Sequence, residues 1–161
     1  MLRALDLALL RFLRTRGHAA RAERAVLAFT RAGEHGLLWQ VLCTLGLVLD
    51  PARGALYRRT MRATMLAYLA NILLKYVVRR PRPVLEGLPA LSSTVTSLSY
   101  PSAHTTTSFA AAGGLSQGLP APPLYACAGA MALSRAYTGV HYPSDIVAGA
   151  VFGTALGELM A

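Results

Sequence analysis

Residues 61–78 read MRATMLAYLANILLKYVV. Apart from Arg62, the run is apolar or weakly polar until Lys75, the only lysine among 16 basic residues. It approaches the ~20 residues that an α-helix needs to cross ~30 Å of hydrocarbon. Four further stretches, 34–49, 103–118, 123–138 and 143–160, have the same character once small residues and a few polar ones are tolerated inside a bundle. A chain of 161 residues with 54% hydrophobic and 14% charged residues does not describe a soluble globule. The reading is an all-α, polytopic membrane helical bundle with about five transmembrane helices, forming one domain over residues 1–161 as a multi-pass protein of the cell membrane. Thr105 to Ser108 and Ser134-Arg135 interrupt two of the stretches, and polar groups at membrane depth are expected to line a site.

Outward from these runs, residues 2–16 place Arg3, Asp6, Arg11 and Arg14 on one side of a helical wheel and Leu2, Leu5, Leu9, Phe12 and Leu13 mainly on the other. That pattern predicts an N-terminal amphipathic helix, either lying on the membrane surface or capping the bundle. Arg11, Arg14 and Arg16 break the apolar core that a cleavable leader would require. The net charge of +9 fits membrane lipids and an anionic substrate better than nucleic acid, because the basic residues are not interleaved with aromatics on a soluble face. Cys43 and Cys127 fall in apolar stretches and read as small hydrophobes. Gly149, Gly153 and Gly157 form a smooth stripe at spacing four. Close packing inside the monomer is its first reading and a homodimer seam its second.

Residues 79–102 form the longest polar connection, and loops of that length usually carry function. With five crossings, this loop and the turn holding His141 emerge at the same end of the bundle. Lys75 and Arg82 then point into one hollow, with Arg82 stiffened between Pro81 and Pro83 for bidentate phosphate contact. Arg79 and Arg80 lack that support and are expected to meet lipid phosphates or loop acceptors. In Pro101-Ser102-Ala103-His104, Ser102 is a natural N-cap, and the backbone N–H groups that follow are free to meet an oxyanion. Arg135 closes the fourth apolar stretch, where a guanidinium needs an anionic partner. His141 precedes Asp145 by one helical turn, so the carboxylate can accept Nδ1–H and leave Nε2 as an oriented nucleophile. A structural His–Asp pair is the plainer alternative. A metal centre is disfavoured by the shortage of nearby carboxylates, histidines and cysteines.

The three clusters resemble, spacing for spacing, the signature of the type-2 phosphatidic acid phosphatase superfamily: Lys, six residues, Arg-Pro; then Pro-Ser-Gly-His; then Ser-Arg, five residues, His, three residues, Asp. The match runs from Lys75 to Asp145, with Ala103 standing where the family commonly has glycine. By that resemblance His141 forms a phosphohistidine, Asp145 orients it, and His104 protonates the leaving alcohol and later activates water. Lys75, Arg82, Ser102, Ala103 and Arg135 hold the phosphoryl oxygens, with no metal and no cofactor. An alanine at 103 still offers its N–H if its φ is negative. Gly33-Glu34-His35, Tyr-Pro-Ser-Ala-His and Gly-Val-His-Tyr-Pro-Ser-Asp make the chain similar, within that superfamily, to the decaprenylphosphoryl-phosphoribose phosphatases. Glu34 and His35 either touch a sugar or cap a helix.

The resemblance implies a lipid phosphate substrate. Undecaprenyl diphosphate, phosphatidylglycerol phosphate and phosphatidic acid are rivals within the same chemistry. A non-enzymatic lipid-binding or transport protein is the rival from another class.

Overall fold

The structure, a computed structural model, describes the backbone of residues 2–160 and side chains from Arg3 to Met160; Met1 and Ala161 lie outside the described residues. Among those residues the chain folds into seven α-helices and no strand. They are α1 (Leu2–Thr15), α2 (Ala20–Ala32), α3 (Leu37–Leu49), α4 (Gly54–Val78), α5 (Ala103–Leu115), α6 (Ala121–Tyr137) and α7 (Pro143–Leu159). A 3-10 turn over Glu34–Gly36 links α2 to α3, and another over Pro51–Arg53 links α3 to α4.

Helix α5 is the centre of the bundle, touching α4, α6 and α7, and ten of its thirteen residues are buried. It is rich in Ala, Gly, Thr and Ser because its neighbours approach its backbone. The glycine stripe of α7 makes this approach. A Cβ at Gly149 would lie 2.9 Å from the Ser102 carbonyl oxygen, one at Gly157 2.6 Å from that of Ala110, and one at Gly153 would collide with that of Thr106. The three glycines therefore pack inside the chain, against α5. That is the first of the two readings given to the stripe.

The hydroxyls of α5 depart from expectation. Only Thr107 of the Thr105–Ser108 run lines the site. Thr106 donates back to the Ser102 carbonyl at 2.9 Å, Ser108 accepts from Trp39 Nε1 at 2.9 Å, and Thr105 donates to Ser102 Oγ at 3.0 Å. These groups serve helix packing: Thr106 bonds back to the backbone, and Thr105 and Ser108 find side-chain partners inside the bundle.

Among the described residues only Pro51–Val78 is alone long and apolar enough to cross a membrane. The pair Ala20–Ala32 and Glu34–Leu49, bent by 51°, passes together. The other expected spans are present as helices of 13, 17 and 17 residues, with polar and small residues that lower their hydropathy. Helix α2 has no counterpart in the sequence reading, because Arg21, Glu23, Arg24 and Arg31 mask its apolar side.

Helix α1 is amphipathic, and it turns Asp6 and Arg14 inward while Arg3 and Arg11 stay exposed. Asp6, Leu10 and Arg14 are buried, whereas Leu5, Leu9 and Phe12 are exposed. Arg14 donates to the carbonyls of Pro89 and Tyr137 at 2.8 and 3.2 Å. The polar stripe thus fastens α1 to the same end of the bundle as the long loop.

Candidate active site

Five backbone segments meet at that end: the turn after α2, the C-terminal end of α4 with the long loop, the start of α5, the end of α6, and the turn before α7. Helix α4 stops where Arg79 takes the left-handed conformation (φ 52) and donates its N–H to the Lys75 carbonyl at 2.9 Å. Pro81 and Pro83 then keep the chain extended. The loop folds back on itself, with Ser99 N–H on the Arg80 carbonyl at 2.8 Å and Arg82 N–H on that of Ser97 at 3.2 Å. Leu91 N–H reaches the Thr138 carbonyl at 2.9 Å, tying the loop to the turn after α6. The expected meeting of loop and His141 turn at one end is thereby observed.

Between these segments lies a cavity of about 250 Å³ lined by Lys75, Arg82, Ala103, His104, Arg135 and His141 among others. Of the eight residues singled out in the sequence, six face it. Ser102 and Asp145 sit behind the wall with no exposed surface. Ser102 does occupy the N-cap of α5, in extended conformation, but its hydroxyl makes no capping bond. The first N–H groups of α5 therefore have no side-chain acceptor, and they open beside Ala103. Ala103 has negative φ, since His35 and Arg79 are the only non-glycine residues with positive φ among those described. Alanine is thus compatible with the backbone there.

Arg82 crosses the loop to the nucleophile candidate. Its Nε donates to the Thr96 carbonyl and its Nη1 to that of Val140, both at 2.8 Å, and Nη1 lies 3.2 Å from His141 Nε2. A guanidinium has no acceptor, so His141 Nε2 presents a lone pair and the proton belongs on Nδ1. Nδ1 lies 3.5 Å from Asp145 Oδ2 and makes no proper hydrogen bond, so the expected pair is adjacent but loose. Burial, then the charges of Arg82, Arg135 and Lys75, push His141 well below the ordinary imidazole range, which keeps the ring neutral. Burial also pushes the Arg82 guanidinium down, to about 10.

Asp145 is occupied mainly elsewhere. Its Oδ2 accepts from the Tyr142 N–H at 3.0 Å and its Oδ1 from Arg80 Nη1 at 2.8 Å. Arg80, expected to meet lipid phosphates or loop acceptors, instead bridges two carboxylates, because its Nη2 also reaches Asp6 Oδ2 at 2.7 Å. Its guanidinium stacks 4.0 Å over the Tyr142 ring. Asp6 completes the clamp by accepting from Ser144 N–H at 2.9 Å and Ser144 Oγ at 2.5 Å. Burial alone would raise the Asp6 carboxyl, but the Ser144 and Arg80 donors hold it below its usual value.

Lys75 is buried and donates to the carbonyls of Pro101 at 2.7 Å and Ser99 at 3.2 Å, so the ammonium also braces the loop. Arg135 Nη1 donates to the Thr30 hydroxyl, and its buried Nε has no partner. Thr30 further takes Ser134 Oγ at 3.1 Å and, through its carbonyl, His104 Nε2 at 3.1 Å. A carbonyl only accepts, so His104 carries its proton on Nε2 in this arrangement. Thr30, Arg80 and Asp6 are the site residues that the sequence reading missed. Asp6 left a trace there, as the one acidic residue on the basic side of the α1 wheel, and Arg80 was assigned to lipid phosphates or loop acceptors.

Taken together, three fixed cations, a helix N-terminus and two imidazoles with assignable tautomers are the groups that capture and cleave a phosphate ester. The model of the PAP2 superfamily matches residues 59–161. Decaprenylphosphoryl-5-phosphoribose phosphatase of Mycolicibacterium smegmatis is 40% identical over 124 residues, which are 76% of this chain and 68% of that protein. The crystal structure of Aquifex aeolicus LpxE superposes with a TM-score of 0.83 at 28% identity, covering 97% of this chain and 94% of that one. A transmembrane PAP2-type phosphatidylglycerolphosphate phosphatase from Bacillus subtilis shares the fold, with a TM-score of 0.79 at 22% identity over 98% of this chain and 83% of that one.

Proposed function

This chain belongs to the PAP2 superfamily, and from that premise we propose that it is an integral membrane lipid phosphatase working through a phosphohistidine. It is a phosphatase, a hydrolase of phosphate esters. The single observation carrying the mechanism is the His141 Nε2 lone pair, held 3.2 Å from Arg82 at the wall of a cavity that Lys75 and Arg135 also line.

The phosphoryl oxygens of the substrate take the place beside Arg82, Lys75, Arg135 and the free N–H groups of α5, where a developing negative charge is offset. His141 Nε2 attacks phosphorus, forming the P–N bond as the P–O bond to the alcohol breaks. His104, whose Nε2–H is held by the Thr30 carbonyl, carries a second proton on Nδ1 for this step and gives it to the departing oxygen. A water then enters, His104 takes its proton, the new P–O bond forms and the P–N bond breaks, releasing inorganic phosphate and the neutral imidazole. Asp145 stabilises the charge on the ring during the attack, its own position fixed by Arg80. Ser102 acts through the backbone as the N-cap of α5.

For the substrate we propose a decaprenylphosphoryl-5-phosphoribose or a closely similar polyprenyl-linked sugar phosphate. The 40% identity to the mycolicibacterial phosphatase over most of the chain supports this choice. The bundle itself is proposed to cross the membrane five times, through α3 to α7, with α1 in the interface at the site end. Apolar side chains facing outward support that reading: Val48, Leu73, Val77, Leu133, Val147 and Val151 are between 63% and 77% exposed. On α1, Leu5, Leu9 and Phe12 point away from the bundle at headgroup level.

The test is phosphate release by purified protein, with a chelator present, from a polyprenylphosphoryl-ribose 5-phosphate, undecaprenyl diphosphate, phosphatidylglycerol phosphate and phosphatidic acid. The sugar phosphate is expected to give the highest kcat/KM. Preference for any of the other three overturns the substrate, and release surviving His141→Ala overturns the mechanism.

A further inference from the structure

The cavity has a second half that the phosphate chemistry leaves unused. Glu34, His35, Tyr68 and Tyr76 line it, and Ser93 to Thr96 of the long loop close the other wall. We infer that the Glu34–His35–Tyr68 lobe is a binding site for the hydroxyl groups of a sugar-like headgroup, and so selects the alcohol whose phosphate is cleaved. This rests on the phosphatase reading above and extends it from the phosphate to the group that carries it.

The alternative role, capping a helix, is not realised. Neither the 3-10 turn over Glu34–Gly36 nor α3 receives a side-chain cap hydrogen bond. Glu34 forms no salt bridge among the described residues, and both its side chain and that of His35 are exposed into the lobe. His35 stands in the left-handed region at φ 53 and ψ 18, a conformation that costs a non-glycine residue energy and persists only where the surroundings enforce it. They do so here. A Cβ at Gly33 would run into Met131 and crowd His104, and one at Gly36, at φ 75, would crowd Thr64 and meet Thr107. The turn is therefore fixed by packing on both sides, and His35 is presented into the cavity from it. Its Nδ1 shares a hydrogen bond of 2.6 Å with the Tyr68 hydroxyl, and the two rings meet edge to face at 5.4 Å. That bond orients the ring and leaves Nε2 free for a ligand.

The chemistry of the lobe separates it from the phosphate half. One carboxylate, an imidazole, two phenols and the loop's hydroxyls offer mixed donors and acceptors, and none is a permanent cation. A second phosphate there would meet the Glu34 carboxylate, so a diphosphate is disfavoured. Neutral vicinal hydroxyls donate to a carboxylate and accept from a phenol or imidazole, and so match the set. Because the turn carrying Glu34 and His35 also touches His104, the headgroup lies next to the bond that breaks.

The test compares Glu34→Gln, His35→Ala and Tyr68→Phe with the parent protein on two substrates, polyprenylphosphoryl-ribose 5-phosphate and phosphatidic acid. The ratio of kcat/KM for the sugar phosphate over phosphatidic acid is expected to fall tenfold or more in Glu34→Gln, and severalfold in Tyr68→Phe and His35→Ala. A loss of one hydrogen bond to a charged group has this size. A ratio that stays within twofold in all three variants overturns the subsite, whether the absolute rates fall or not. Tyr68→Phe removes one oxygen and keeps the ring, which guards against misfolding as the cause. Failure of the underlying reading looks different: the parent protein itself, or its His141→Ala variant, would behave contrary to a phosphohistidine enzyme on both substrates.

Discussion

Replacing Arg80 by alanine removes the donor that Asp6 and Asp145 have in common. Asp6 is 2% exposed and Asp145 0%, so both carboxylates depend on hydrogen bonds inside the protein. Without the guanidinium, Asp145 keeps the Tyr142 N–H, and Asp6 keeps the two Ser144 donors. Breaking a buried pair by deleting one partner costs about 3–5 kcal/mol. The Arg80 side chain is itself 22% exposed, and water entering its place offsets part of that, so about 3 kcal/mol is expected. At ~2–4 °C per kcal/mol for a domain of this size, the thermal midpoint of detergent-purified protein should fall by roughly 6–12 °C. Phosphate release should fall as well, because Asp145 and the start of α7 lose their tie to the loop. Arg80→Lys should rescue little, since one ammonium cannot fork between two carboxylates and Ser144. Adding Asp6→Asn to Arg80→Ala should recover part of the stability by removing one stranded charge, and this double-mutant cycle measures the coupling. A midpoint within 2 °C of the parent in Arg80→Ala would refute the clamp.

Three other outcomes are open to measurement. With an aryl phosphate whose leaving group needs no acid, His104→Ala should form the phosphoenzyme but not hydrolyse it, so an acid-labile phosphohistidine at residue 141 accumulates and mass spectrometry detects it; rapid turnover would remove His104 from the water step. Because burial and then the charges of Arg82, Arg135 and Lys75 depress His141, its ring should stay neutral below pH ~6.5, and any acid limb of kcat/KM owed to it should lie there; Arg82→Ala should move its titration, followed by NMR, to higher pH, and an unmoved titration would contradict the assigned contact. Gly153→Ala should destabilise by about 1–3 kcal/mol, since the new methyl meets the Thr106 carbonyl, which is backbone and cannot swing aside, while Gly129→Ala, with open space around it, should be neutral or slightly stabilising in thermal melts.

The sequence was most readable where chemistry is local. Pro81 and Pro83 around Arg82, the five residues from His141 to Asp145, and Ser102 before α5 each declare a short-range geometry; the structure keeps Ser102 at the N-cap without a side-chain cap bond and His141 beside Asp145 without a proper hydrogen bond. It was least readable where a side chain's partner lies far along the chain. Arg80 reads as a partner for lipid phosphates or loop acceptors because Asp6 is 74 residues away, and Thr30 reads as nothing in particular because Arg135 is 105 residues away. The α1 wheel gave an amphipathic helix but neither that Asp6 and Arg14 turn inward nor that Arg3 and Arg11 stay outside. That choice depends on the carbonyls of Pro89 and Tyr137 and on Arg80 being there to satisfy the charges.

By itself, the chain's order of residues determined the helical class, the inventory of cations and imidazoles, and the end of the bundle at which they gather, because hydrophobic runs, prolines and caps act over a few residues. Only the packed structure decided that six of the eight candidates face one cavity, that Arg82 meets a lone pair on His141, that the glycines of α7 belong to α5, and that Glu34, His35 and Tyr68 share the remaining space. Those outcomes follow from helices held at contact distance, where a hydrogen bond either finds its partner across the bundle or is lost, and no spacing along the chain encodes that distance.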